Sequence, residues 1–160
     1  MNLMKKIRIL FSLNWKTKKL LTEALFYLGW ARILKLMPFS LVSPTLGEKM
    51  EETTLVTNSA NARILKRVSE AVHIMSRHTF WESQCLVKAI AGQKMLHRRK
   101  IESTLYLGTA KDENGDFIAH AWLRSGSFYV SGSEGMERFT VIAKFAKTAK
   151  LNNVEGENYG

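Results

Sequence analysis

One hundred and sixty residues suffice for one domain with a real hydrophobic core, and not for two of ordinary size. The single cysteine, Cys85, excludes an internal disulfide and any metal site built on several thiolates, and it favours a reducing, cytoplasmic setting. Of the formal net charge of +10, residues 1–37 hold +7, eight Lys/Arg against Glu23, so the basic character belongs mainly to an N-terminal arm. Such an arm is either a solvated helix face or an attractor for an acidic peptide or an anionic membrane surface; nucleic acid is not an expected partner.

The start, Ile7-Arg8-Ile9-Leu10-Phe11, is short and charge-broken, with no small-residue cleavage site after it, so no cleaved leader is expected. Over residues 15–37, Leu20, Leu21, Ala24, Leu25, Leu28 and Ala31 recur at a 3.6-residue period until Pro38, which predicts a helix. Glu23, Arg32 and Lys35 interrupt its apolar stretch below the length of a membrane span, while Phe26 and Trp30 would suit a helix lying in an interface. Residues 38–58 carry both prolines, Gly47 and a charged cluster, and read as a connector packing through Phe39 and Leu41. A second helix over residues 60–77, capped by Asn58 or Ser59, presents the core stripe Ile64, Leu65, Val68, Ala71, Val72 and Met75. His73, beside that stripe, and His78, at its end, read as solvated or structural. A third helix is expected to take Ser83 as its cap and to run through Leu86, Val87, Ala89, Ile90 and Leu96. Its end, His97-Arg98-Arg99-Lys100, suits the negative end of a helix dipole.

Residues 104–109, 117–124, 128–131 and 139–145 then read as strands. They are separated by Asp112-Glu113-Asn114-Gly115, by Ser125-Gly126 and by a break at Gly132 and Gly135. The second of them is apolar on both faces except at His120, as in the middle of a sheet. The fold class is therefore α+β. A helical arm and connector occupy 1–58, a Cys-bearing helix packed on an antiparallel sheet of about four strands occupies 59–151, and a flexible tail occupies 152–160, one structural domain overall.

Cys85 falls in the first turn of its helix, where free amides and the positive end of the dipole favour a thiolate and can hold an oxyanion. A cysteine hydrolase also needs an imidazole, here His120, and a group that orients it. If Ser125-Gly126 is a two-residue loop, Ser131 stands opposite His120, on the face of Ile118 and Trp122. The run Val130-Ser131-Gly132-Ser133-Glu134 has no aspartate, so orientation falls to the Ser131 hydroxyl, a backbone carbonyl, water or Glu134, and Gln84 is a further oxyanion candidate. Trp81 and Trp122 either wall the cleft or pack in the core. The bland alternative is a small core cysteine and a satisfied strand histidine. A zinc site from Cys85, His78 and His97 has no ligand spacing behind it; no metal and no cofactor is expected.

The order of elements, a helix with Cys near its start and then antiparallel strands with His on the second, resembles the transglutaminase-like branch of the papain-type peptidases. More closely, Trp81-Glu82-Ser83-Gln84-Cys85-Leu86-Val87-Lys88-Ala89, Thr104-Leu105-Tyr106-Leu107-Gly108, Ala119-His120-Ala121-Trp122-Leu123-Arg124 and Glu137-Arg138-Phe139-Thr140-Val141 resemble the lasso-peptide leader peptidases. Glu23-Ala24 and Met37-Pro38-Phe39 are similar to the start of that family, so the likeness covers most of the chain. It implies a cysteine peptidase that cuts the leader from a ribosomally made precursor, so that a cyclase related to asparagine synthetase can close the macrolactam ring. It further implies the split form, which relies on a separate leader-recognition protein, with the basic N-terminal helix as a docking surface for that partner, the cyclase or the membrane. Family members commonly use a Cys-His-Asp triad; Cys85 and His120 carry over, and the aspartate does not. Two other readings stay open: an inactive scaffold of the same fold that binds the precursor or cyclase, and a cysteine hydrolase or acyltransferase with another amide substrate.

Overall fold

The computed structural model describes residues 3–80 and 84–149. Along the chain run α1 (Leu3–Ser12), α2 (Trp15–Lys35), the single turn α3 (Phe39–Val42), β1 (Glu48–Lys49), α4 (Ser59–Ser76), α5 (Cys85–Arg98), β2 (Ser103–Lys111), β3 (Phe117–Ser125), β4 (Phe128–Ser131) and β5 (Thr140–Lys147). The 152–160 tail lies outside the described residues. One antiparallel sheet takes all five strands in the order β1-β5-β2-β3-β4. The architecture is α+β, as expected. The fifth strand is β1, inside the connector, where Glu48 and Lys49 pair with Ala146 and Phe145. Two residues are too few to show a period, and α1 escapes the sequence pattern for a similar reason, its apolar run being short and interrupted by charge.

Helix α5 lies at the centre. Val87, Ala89, Ile90, Ala91, Gly92, Gln93, Met95 and Leu96 are all buried, and a helix without a polar face must be enclosed by other elements. Leu21, Ala24 and Leu28 of α2 and Leu65, Val68 and Val72 of α4 join its core on one side, and Leu105, Ala121, Leu123 and Phe145 of the sheet on the other. Gly92 allows the close approach to β3: a Cβ there would stand 2.9 Å from Leu123 Cδ2. At the far end of α5, Arg99 donates to both carboxylate oxygens of Glu23 at 2.8 and 2.7 Å, which ties α2 to this helix. Asn58 caps α4, its Oδ1 accepting from the Ala60 amide at 3.0 Å.

The connector packs mainly through residues other than the expected Phe39 and Leu41. Val42 and Leu46 are buried, whereas Leu41 is exposed and Phe39, also largely exposed, meets Phe145 edge-to-face at 6.1 Å. α2 is apolar on two sides, with Leu21, Ala24, Leu28, Ala31 and Leu34 inward and Phe26, Trp30 and Ile33 outward. No helix among the described residues is long and apolar enough to cross a membrane.

A polar seam crosses the sheet face that looks away from α5. Arg124, buried, donates through Nε to the Tyr106 hydroxyl at 2.9 Å and through its other nitrogens to the carbonyls of Thr53, Thr54 and Gly126. Tyr106 stacks on Trp122 at 5.5 Å between centroids and donates to Glu52 Oε1 at 2.7 Å, and Lys144 stands 3.3 Å from the same carboxylate. The seam straps residues 52–54 across the strands. Burial, helped by the hydrogen bond to Glu52, raises the Tyr106 phenol to about 12. The unfolded chain releases that proton near the ordinary tyrosine value of about 10. Stability from this group is therefore complete below that pH and declines as pH rises from there toward the folded value. The urea midpoint of the wild type should fall between about pH 10 and 12, and more steeply than that of Tyr106→Phe; parallel profiles would show that Tyr106 does not carry the effect.

Candidate active site

Cys85 is the first residue of α5, and Gln84, extended at φ −72° and ψ 179°, is the residue before the helix. The expected cap, Ser83, lies with Trp81 outside the described residues; the capping position belongs to Gln84. Gln84 makes no side-chain capping bond, and among the described residues no side-chain oxygen occupies the amides of the first turn. Gln84 turns out to serve α2, its Oε1 accepting from Lys35 Nζ at 3.2 Å, and it does not line the cavity next to Cys85.

That cavity, about 280 Å³, is where the predicted residues meet. Cys85, His120, Ser131 and Glu134 all line it. His120 reaches it by an indirect route. Along β3, Ala121 and Leu123 join the core beside α5, whereas His120 shares its row with Trp122 and Arg124 on the seam face. Because β4 stops at Ser131, the edge of β3 that faces away from β2 is unpaired beside His120, and the chain leaving β4 passes the imidazole instead. There the Gly132 carbonyl lies 2.7 Å from His120 Nε2. A carbonyl only accepts, so Nε2 carries the hydrogen and Nδ1 is the nitrogen left for proton exchange. The ring is flanked by Phe139 and Trp122, at 4.9 and 5.9 Å between centroids. Gly108, opposite His120 on β2, makes room for this stack, since a Cβ would stand 2.9 Å from both the Trp122 ring and Phe139. Trp122 itself is buried in the seam and does not line the cavity.

Ser131 does not stand opposite His120. The hairpin closes with Ser125 paired to Phe128, so the two-residue loop is Gly126-Ser127, one position later than expected. Val130 is then an extra residue in β4, and the bulge sets Ser131 opposite Leu123. Its hydroxyl is buried and makes no hydrogen bond. Glu134, also on the cavity wall, is exposed. The group that orients His120 is thus a backbone carbonyl, held in place because Gly132 has a left-handed φ of 73° and a Cβ there would run into the Ala121 carbonyl oxygen.

His73, Lys88 and Tyr129 are among the further residues that line the cavity. Lys88 was within reach of sequence reasoning, because it lies three residues beyond Cys85 and so on the same helix face. No cluster of three or more His, Cys, Asp or Glu able to hold a metal occurs among the described residues, and Cys85 and His97 sit near opposite ends of α5.

A family model described as the transglutaminase-like superfamily matches residues 24–144, well over half of the chain. The chain belongs to that superfamily. No curated protein matches it, and no solved structure does. The transglutaminase-like superfamily includes cysteine proteases and transglutaminases, both of which run acyl transfer through a thiolate. In this transglutaminase-like chain the match begins at Ala24, inside α2, so it takes in residues 24–35 of that helix.

Two substitutions separate the roles of Ser131 and Gly132. Ser131→Ala removes a buried hydroxyl without a partner and should leave the urea midpoint unchanged or raised. Gly132→Ala should cost about 2 kcal/mol through strained backbone and the collision with Ala121, and should shift the His120 ring-nitrogen resonances. Unchanged resonances would mean that the Gly132 carbonyl does not orient the ring.

Proposed function

We propose that the protein is a cysteine peptidase that removes the leader from a ribosomally made lasso-peptide precursor before a partner cyclase closes the macrolactam. The observation that carries this reading is the convergence of Cys85, at the start of α5, and His120, with Nε2 tied to Gly132, on one cavity. The narrower assignment, from cysteine-dependent acyl transfer to leader removal, rests on the sequence resemblance around Cys85, Leu107-Gly108, His120 and Glu137-Arg138-Phe139.

In the proposed reaction the Cys85 thiolate attacks the carbonyl at the leader–core junction. His120, as imidazolium, stabilises the thiolate and then gives its Nδ1 proton to the leaving amine. The amides of the first turn of α5, which Gln84 does not cap, hold the tetrahedral oxyanion, an interaction worth ~3 kcal/mol per donor in comparable sites. Water, deprotonated by His120, hydrolyses the thioester and restores the thiol. The Gly132 carbonyl takes the orienting role that an aspartate fills in most family members; it fixes the tautomer but carries no charge to stabilise the imidazolium. A separate leader-recognition protein would hold the precursor near the cavity and raise its effective concentration, and the setting would be cytoplasmic.

The test mixes the full chain with precursor peptide, with and without the leader-binding partner, and reads the products by mass spectrometry. Wild type should cut at the leader boundary, and Cys85→Ala and His120→Ala should each lower the rate by at least ~10³-fold. A precursor left whole by wild type in the presence of the leader-binding partner would favour the scaffold reading. Cleavage that survives Cys85→Ala would remove the nucleophile assignment.

A further inference from the structure

A second cavity, of about 260 Å³, opens where α2 meets α4 and the end of α5, and it shares no residue with the Cys85 cavity. Leu20, Ile64 and Val68 form its apolar part. Lys16 and Lys19, three residues apart on α2, and Arg67 from α4 line it as cations, and among the described residues none of the three has an ion-pair partner. The only carboxylate on its wall, Glu23, is already engaged by both guanidinium nitrogens of Arg99 and approached by Arg98 at 3.6 Å. The wall therefore keeps three positive charges around one small space, which gives it a positive potential that favours an anion.

We propose that this groove is a binding site for an acidic polypeptide segment, one in which carboxylates alternate with aliphatic side chains. The apolar floor takes the aliphatic groups while Lys16, Lys19 and Arg67 meet the carboxylates around them. Three cations around an apolar floor do not make the continuous basic track that a phosphate backbone requires. A concave site of this volume accommodates a few side chains rather than the flat plane of a bilayer. The site stands on its own residues and holds whether or not the Cys85 cavity cuts peptides.

The experiment titrates the full chain against a fluorescein-labelled peptide of alternating glutamate and leucine and follows anisotropy. Binding should saturate and weaken with added salt. It should fall at least tenfold in Lys19→Glu/Arg67→Glu and less than twofold in Lys49→Glu/Lys111→Glu, which changes net charge equally at exposed positions elsewhere. Circular dichroism melting of each variant checks that the fold is kept, and Lys19→Gln/Arg67→Gln, expected to weaken binding at least threefold, replaces the reversal if that variant melts early. Equal losses in both double variants would overturn the proposal, as would equal binding of a glutamine-leucine peptide. So would capture of phosphatidylglycerol vesicles that depends on Lys19 and Arg67 as strongly as the peptide does, which would assign the groove to a lipid surface.

Discussion

Because α5 is enclosed on both flanks, its first residue cannot move without disturbing the packing of the whole domain. Gly92 against Leu123 sets how near the helix stands to the sheet, and the Glu23–Arg99 pair fixes its other end to α2. Truncating a large side chain in such an interior commonly costs 2–5 kcal/mol. A thiol placed at the terminus of this helix thus inherits a position defined by the core, not by a loop, which is the arrangement that preorganised chemistry needs.

The two faces of the sheet solve different problems. The inner face carries Leu105, Ala121, Leu123 and Phe145 and supplies apolar burial. The outer face carries Tyr106, Trp122 and Arg124, whose hydrogen bonds run mainly to the backbone of residues 53–54 and to Glu52, so that an irregular segment closes over it. His120 begins on that outer row and enters the cavity only because the neighbouring strand is short. The length of β4 is therefore as much a determinant of the site as the identity of the histidine.

Much of this was legible in the residues. The stripe from Ile64 to Met75 and the period from Leu20 to Ala31 gave α4 and α2 because both helices have a buried row, and alternation with turn residues gave β2 to β5. Cys85 and His120 were readable as a pair because their residue types and element order are chemically distinctive. The third position was not. A hairpin loop shifted by one residue and a bulge at Val130 moved Ser131 three places along β3, and nothing in a composition of Ser, Gly and Phe separates these registers. Gly132 was visible as a breaker, but that its carbonyl would serve the imidazole depends on backbone direction, which side-chain patterns do not encode. The cationic groove was likewise foreshadowed only as general positive charge, since Arg67 joins Lys16 and Lys19 through the packing of α4 on α2.

The lone cysteine at the mouth of α5 has one more implication, for survival under oxidative stress. A sulfenic acid formed on Cys85 finds no second thiol within the chain with which to condense, so the reversible internal disulfide that shelters many reactive cysteines from over-oxidation is closed to it. Recovery must come from a small-molecule or protein thiol that can enter the cavity, and the dimensions of that opening, rather than any resolving partner, decide whether the sulfur returns or is lost as sulfinic acid.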